Sequence, residues 1–168
     1  MNETAAIEAL LFAAGEPITK ERISELLEID LQKVSELLKK FEGELEGCGI
    51  ILREVAGGFQ LSARPEFYPI VEKMNETAAR KISAPMLETL SIVAYLQPVT
   101  RADIEEIRGV NVDGMVAKLV ELNLIKEVGR KQVLGRPLLY GTTEKFLQTV
   151  GIKSLDELPE LPEQDENL

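Results

Sequence analysis

Residues 17–23 read PITKERI and residues 98–104 read PVTRADI, so one phrase occurs twice, 81 positions apart. In both versions a threonine precedes charged residues, as at the N-cap of a helix. The flanking apolar pattern keeps the same register, and Leu11, Leu26, Val34, Leu38 and Phe41 are matched by Ile92, Ile107, Met115, Leu119 and Leu122. Because about 80 residues suffice for a small core, the repeat predicts one domain used twice.

The first copy is predicted to contain three helices and a hairpin. Apolar spacing predicts helices at residues 3–14, 20–28 and 31–45, with Thr19 and Asp30 capping the second and third. Two strands follow at residues 50–55 and 59–63, joined across Gly57-Gly58, a dipeptide suited to a tight turn. This order of elements is that of a winged helix.

The second copy repeats the order. Helices are predicted at residues 85–96, 101–108 and 113–123, strands at 125–129 and 138–141, and a last helix, capped by Thr143, through residue 150. The connection at residues 130–137, here called the wing, is longer and more basic than the Gly-Gly of the first copy. The predicted fold class is therefore mainly α with small β-hairpins, in two tandem winged-helix domains. Their predicted bounds are 1–79 and 80–160, followed by a disordered acidic tail at 161–168.

The net charge of −10 is unevenly distributed. Residues 1–79 hold 15 acids and 8 bases, residues 80–152 hold 8 acids and 10 bases, and residues 153–168 hold 6 acids and 1 base. An acidic first copy is repelled by a phosphate backbone, which disfavours strong direct DNA binding. No apolar run approaches the roughly 18 residues of a membrane-spanning helix, and Glu3 and Glu8 lie where a signal peptide would carry positive charge. The sequence therefore predicts a cytoplasmic protein without membrane contact.

Residue types that carry catalysis are scarce. The chain has no histidine and a single cysteine, Cys48, which is interpreted as a small, partly buried residue. Carboxylate pairs such as Glu105-Glu106 fall on polar helix faces, and the glycine pairs lack the Lys and Ser/Thr of a phosphate loop. No enzyme activity, cofactor, metal or small-molecule ligand is predicted.

Several strings in the chain resemble one family. RGVN at residues 108–111, GRPLLYGTT at 135–143 and SLDELP at 154–159 are the most diagnostic, and IEALLFAAGEPIT at 7–19 is the closest phrase in the first copy. They are similar to segregation and condensation protein B, the bacterial subunit that accompanies the kleisin of the condensin-type chromosome complex. The resemblance implies a nucleoid-associated homodimer that acts in chromosome condensation and segregation. It also implies that the first domain dimerises and that the second binds the middle segment of the kleisin. Through the kleisin, the protein would modulate the structural-maintenance-of-chromosomes ATPase.

Candidate contact residues lie in both copies. Apolar residues on more than one side of the first helix imply a second buried face, so the predicted dimer residues are Ile7, Leu10, Leu11 and Phe12. The same excess in the helix at 85–96, together with the loop at 108–111 and the wing, predicts a kleisin site. Its predicted residues are Leu90, Val93, Ala94, Tyr95, Arg108, Asn111, Arg130, Arg136 and Tyr140. Tyr140 fits equally a core position or an anchor for a protein partner.

A winged-helix transcriptional regulator is the alternative interpretation. Arg130, Lys131 and Arg136 could contact DNA phosphates. The helix at residues 113–123, however, offers Lys118 as its single basic residue, with acids beside it. Reading bases in the major groove requires Arg, Asn or Gln facing the base edges, so a protein partner is favoured over DNA.

Overall fold

The computed structural model describes residues 2–74 and 82–160. The first unit, residues 2–74, begins with helices α1 (Glu3–Ala14), α2 (Lys20–Leu27) and α3 (Leu31–Glu44). Strands β1 (Ile50–Val55) and β2 (Gly58–Ala63) form an antiparallel hairpin, and a 3₁₀ turn at Pro65–Phe67 leads into helix α4 (Tyr68–Met74). None of the helices within the described ranges is long and apolar enough to span a membrane.

The second unit, residues 82–160, repeats the order. Helices α5 (Ala84–Leu96), α6 (Arg101–Arg108) and α7 (Asp113–Glu121) precede an antiparallel hairpin of β3 (Ile125–Arg130) and β4 (Leu138–Thr142). Helix α8 (Glu144–Val150) and a 3₁₀ turn at Leu155–Glu157 complete it. The predicted fold class is confirmed. The predicted domain boundary at 79/80 and the predicted tail at 161–168 lie outside the described residues.

Four predicted helix caps are confirmed by their hydrogen bonds. Thr19 Oγ1 accepts from the Arg22 N–H at 3.2 Å and Asp30 Oδ1 from the Lys33 N–H at 2.8 Å. Thr143 Oγ1 accepts from the Phe146 N–H at 3.2 Å, and Thr100 forms a reciprocal capping box with Asp103. Because the first N–H groups of a helix have no partner within it, each cap fixes where a helix begins.

Each unit has its own hydrophobic core. The first is built from Ile7, Leu11, Ile23, Val34, Leu37, Leu38, Phe41 and Leu45. The second is built from α5, α6, α7, the two strands and α8, with Val93, Ile104, Val112, Val116 and Leu119 fully buried. Two separate cores are what the predicted duplication requires.

The repeated phrase pairs with the hairpin in both units. Ile18 and Phe59 exchange two backbone hydrogen bonds at 2.9 and 2.8 Å, and Val99 and Tyr140 exchange two at 3.1 and 2.8 Å. Both pairs keep the offset of 81 residues. A cation also lies over each ring, with Lys20 Nζ 5.4 Å from the centroid of Phe59 and Arg101 Cζ 5.6 Å from that of Tyr140. The duplication therefore extends into the second strand of each hairpin.

The first hairpin turns one residue earlier than predicted. Ala56 and Gly57 have positive φ angles of 49° and 75° and occupy the turn, whereas Gly58 pairs with Val55. Gly58 serves a close approach instead, because a Cβ there would lie 2.9 Å from Pro17 Cβ. Helix ends differ from the predicted ones by up to two residues, and α4 and the turn at Leu155–Glu157 were not predicted.

Cys48 is exposed, which corrects its interpretation as partly buried. It lies in the loop between α3 and β1, and its carbonyl accepts from Arg64 Nε at 2.6 Å. The loop follows Leu45, the last residue of the first core along α3. The chain has therefore already left the core when it reaches the cysteine.

The end of α8 contacts the first hairpin. Arg53 Nη2 donates to the Gly151 carbonyl at 2.6 Å, and the Ala56 N–H donates to the Ile152 carbonyl at 3.0 Å. The Lys153 ammonium lies 3.0 Å from the Glu54 carboxylate, which raises the pKa of that lysine. These contacts join the two units at the tip of the first hairpin.

We expect Gly58→Ala to lower the free energy of unfolding by about 1 to 3 kcal/mol, because the new methyl would press on Pro17 and the Ile18 backbone. Gly43→Ala is the matched control, since nothing lies within 4 Å of a Cβ there and the residue is helical. It should stabilise by up to about 1 kcal/mol. Urea unfolding of both variants measures the difference, and equal stabilities would contradict the close approach.

Candidate protein-interaction site

The wing carries apolar and basic side chains side by side. Leu134 is fully exposed and Val133 is about half exposed, and both lie at its tip. Its base is ordered by hydrogen bonds to backbone carbonyls, because the Arg130 side chain donates through Nη1 to the Arg136 carbonyl at 3.1 Å and the Lys131 N–H donates to the Pro137 carbonyl at 2.9 Å. The wing therefore presents an apolar tip on a defined backbone, flanked by cations.

An ion pair ties the wing to α6. Lys131 Nζ donates to Asp103 Oδ1 at 2.9 Å, and the same carboxylate accepts from the Thr100 N–H at 2.9 Å. The Thr100 N–H, and after it Lys131, lower the pKa of Asp103 to about 2. Since this pKa lies below its ordinary value of 3.8, the ionised Asp103 stabilises the folded state above pH 4. This contribution is lost as the pH falls toward 2.

The predicted contact residues on α5 lie in the core. Leu90, Val93 and Ala94 are buried, and the ring of Tyr140 is buried with them. Leu90, Val93 and Ala94 are therefore core residues rather than the partner-facing surface that was predicted, and Tyr140 takes the core position, one of the two roles that the sequence allowed. Helix α5 is apolar on several sides because it is central to its unit: it packs against α6, α7 and β4.

The chain itself covers a further side of α5. Tyr95 donates its hydroxyl hydrogen to the Pro159 carbonyl at 2.7 Å, and Leu158 packs against the second core. The segment at residues 155–160 therefore lies against the side where a partner helix was predicted. Sequence reasoning counted apolar residues correctly but assigned their burial to a partner.

Arg108 acts within the fold. Its side chain is only 10% exposed and donates to the Pro85 carbonyl at 2.7 Å, to Thr89 Oγ1 at 2.6 Å and to the Glu88 carboxylate at 2.7 Å. The guanidinium thus joins the end of α6 to the start of α5. Its donors are thus largely engaged within the unit, and its predicted contact with the kleisin stays a prediction.

Among the other predicted residues, Arg130 and Arg136 meet on the wing, and both are exposed. Asn111 is exposed and shapes the start of α7, since its Oδ1 accepts from the Asp113 N–H at 3.2 Å. The prediction missed Val133 and Leu134. The available signal was an apolar pair inside a basic, glycine-containing loop. Within residues 2–74 and 82–160 no three His, Cys, Asp or Glu side chains are grouped to hold a metal ion.

The predicted dimer residues differ in how deeply they are buried. Ile7 and Leu11 belong to the first core, Leu10 is partly buried, and Phe12 is 83% exposed. Helix α4 adds two further exposed apolar side chains, Ile70 at 63% and Met74 at 81%. Ile7 and Leu11 therefore stabilise the first unit itself, and the free apolar surface of α1 centres on Phe12.

The chain is similar to known proteins over nearly its whole length. The family model described as segregation and condensation complex subunit ScpB matches residues 5–161. The chain belongs to the ScpB family. It is 46% identical over 163 residues to the segregation and condensation protein B of Moorella thermoacetica, covering 95% of this chain and 83% of that protein. The resemblance seen in the sequence is confirmed, and the family is that of a subunit of the segregation and condensation complex.

Two solved structures are related to parts or most of the chain. ScpB from Mycobacterium tuberculosis is 37% identical, with 90% of this chain and 96% of that chain covered and a TM-score of 0.43. A dimer of a ScpB N-terminal domain complexed with a ScpA peptide is 31% identical, with 42% and 91% covered and a TM-score of 0.41.

We expect Arg108→Ala to lower the free energy of unfolding of the second unit by about 2 to 3 kcal/mol, because hydrogen bonds from a buried cation are lost. Arg130→Ala is the control, since that side chain is exposed and donates only to the wing backbone. It should change stability by less than about 0.5 kcal/mol. Thermal unfolding followed by circular dichroism checks both, and an unchanged Arg108→Ala variant would contradict the internal role.

Proposed function

We propose that this protein is a non-enzymatic subunit of a bacterial condensin-type complex. In this proposal it forms a homodimer through the first unit, binds the middle segment of the kleisin through the second, and thereby modulates the associated ATPase. The observation that carries the kleisin contact is the wing, where a fully exposed Leu134 lies between basic residues.

The wing suits a segment that is apolar and acidic. Burying a leucine contributes about 1.5 to 3 kcal/mol, whereas an exposed ion pair contributes about 0 to 1 kcal/mol. Leu134 is therefore the expected anchor, while Arg130 and Arg136 orient the segment. Residues 80–152 carry a net charge of +2 against −7 for residues 1–79, so an acidic segment is attracted to the second unit rather than to the first.

The DNA-binding alternative is less well supported by the same surface. Helix α7 offers Lys118 as its one basic residue, and Lys118 Nζ is paired with Glu121 at 2.8 Å. Lys131 on the wing is paired with Asp103, and Arg101 with Asp113 at 3.1 Å. These three cations are therefore engaged with carboxylates, and α7 has no Arg, Asn or Gln to face base edges.

We expect Leu134→Ser to weaken binding of the cognate kleisin middle segment by roughly 30-fold, as for the loss of a 2 kcal/mol anchor. The fold should be unaffected, because the side chain is fully exposed. Titration calorimetry with the full chain measures the affinity. Leu87→Ser, which removes an exposed leucine from α5, is the control and should bind like the parent. A kleisin affinity unchanged by Leu134→Ser, or a salt-sensitive shift of duplex DNA, would favour another surface or the regulator.

The first unit carries exposed apolar side chains that suit a homodimer interface. Phe12, Ile70 and Met74 are each more than 60% exposed, and single chains rarely leave several large apolar side chains so open. A two-fold interface would cover these side chains on both copies.

We expect Phe12→Asp to convert a dimer to a monomer at tens of micromolar, because a carboxylate would be buried at the interface. Sedimentation equilibrium measures the mass. Leu134→Ser serves as the matched control and should remain dimeric, while Phe12→Asp should keep the kleisin affinity of the second unit. A parent protein that sediments as a monomer would contradict the proposed dimer.

A further inference from the structure

The two units share one aromatic position but differ there by a single oxygen atom. Phe59 and Tyr140 lie 81 residues apart, each bridges the repeated phrase through two backbone hydrogen bonds, and each ring has a cation over it. The first unit shows that a phenyl ring is sufficient for this position. The hydroxyl of Tyr140 is thus an addition that the scaffold does not need.

That hydroxyl has no hydrogen-bond partner among residues 2–74 and 82–160, although its oxygen is buried. Tyr140 as a whole is 1% exposed. A buried polar group without a partner destabilises a fold, so the hydroxyl reduces the stability of the free protein unless something else satisfies it. An acceptor atom of a bound partner could satisfy this buried hydroxyl.

Tyr140 lines a pocket between α6 and β4. The pocket has a volume of about 370 Å³ and is lined by Arg101, Ala102, Glu105, Pro137, Leu138 and Tyr140. Arg101 is its most movable wall, because that side chain is about half exposed and is held by an exposed ion pair with Asp113. Moving Arg101 uncovers the Tyr140 ring and gives up one exposed ion pair and one cation–π contact, both of which are weak at an exposed site.

The corresponding pair in the first unit indicates what kind of molecule fits. Lys20 and Phe59 line a pocket together with Gly151, Lys153 and Glu157, which belong to the chain's own C-terminal segment. The pocket at Tyr140 is lined by residues of α6, β4 and the wing's last residue, and it adjoins the basic wing. A segment of polypeptide therefore already lies beside Phe59, the aromatic residue of the first unit.

We propose that the pocket between α6 and β4 receives an apolar side chain of the kleisin segment and that Tyr140 donates its hydroxyl hydrogen to a carbonyl or carboxylate oxygen of that segment. This inference rests on the proposed function and adds a second anchor beside the wing. Arg101 turns from Asp113 toward the acidic segment as it opens the pocket. The hydroxyl thus makes its hydrogen bond only in the complex.

The test compares Tyr140→Phe with Tyr95→Phe in the full chain. Tyr140→Phe copies the first unit's residue and should leave the melting temperature unchanged or higher. It should weaken binding of the kleisin segment roughly five- to tenfold, as measured by calorimetry. Tyr95→Phe removes a hydroxyl that already donates to the Pro159 carbonyl. It should lower the melting temperature slightly and leave the affinity unchanged.

The outcomes separate the two proposals. If the parent binds the kleisin peptide and Tyr140→Phe binds it equally well, the role of the hydroxyl is rejected while the proposed function stands. If Tyr140→Phe instead melts several degrees lower, the hydroxyl is satisfied within the free protein and the inference is likewise rejected. If the parent binds no kleisin peptide, the proposed function fails, and the inference fails with it.

Discussion

The architecture depends on a two-bond backbone bridge between the phrase that precedes the second helix and the second strand of the hairpin. It links Ile18 to Phe59 and Val99 to Tyr140. The bridge fixes where α2 and α6 begin, because the capping threonines follow it directly in the chain. In the first unit it also demands a residue without a side chain beside it, because a Cβ at Gly58 would lie 2.9 Å from Pro17 Cβ. Helix start, strand and ring position are thus set by one contact.

What could be predicted from the sequence follows from the range of the interactions. Helix caps are satisfied by residues three positions away, so Thr19 and Thr143 were readable from local patterns alone. The turn was placed one residue late because Gly57-Gly58 is locally an equally good turn, and the contact of Gly58 with Pro17 lies about forty residues away in the chain. Helix α4 was missed because none of its residues is buried and no core periodicity marks it.

The interaction site was less predictable, because a sequence shows how many apolar residues a helix has but not what covers them. Helix α5 is covered in part by residues 155–160, which come from 64 positions further along the chain at the bond from Tyr95 to Pro159. Arg108 looked like a surface cation because its acceptors, among them the Pro85 carbonyl, lie 19 to 23 residues away. Leu134 was the reverse case: an apolar residue in a polar loop, which no core contact accounts for.

The duplicated scaffold uses its two hairpins differently, and the difference explains why the second is free for a partner. The tip of the first is short, and its groups are occupied: Ala56 donates to the Ile152 carbonyl and Arg53 to the Gly151 carbonyl. A further polypeptide at that tip would have to displace both bonds and the ion pair of Glu54 with Lys153. The second hairpin has the longer connection, its backbone is held by bonds within the wing, and the Leu134 side chain remains fully exposed. One copy of the fold therefore contacts its own chain where the other presents an open, basic and apolar surface.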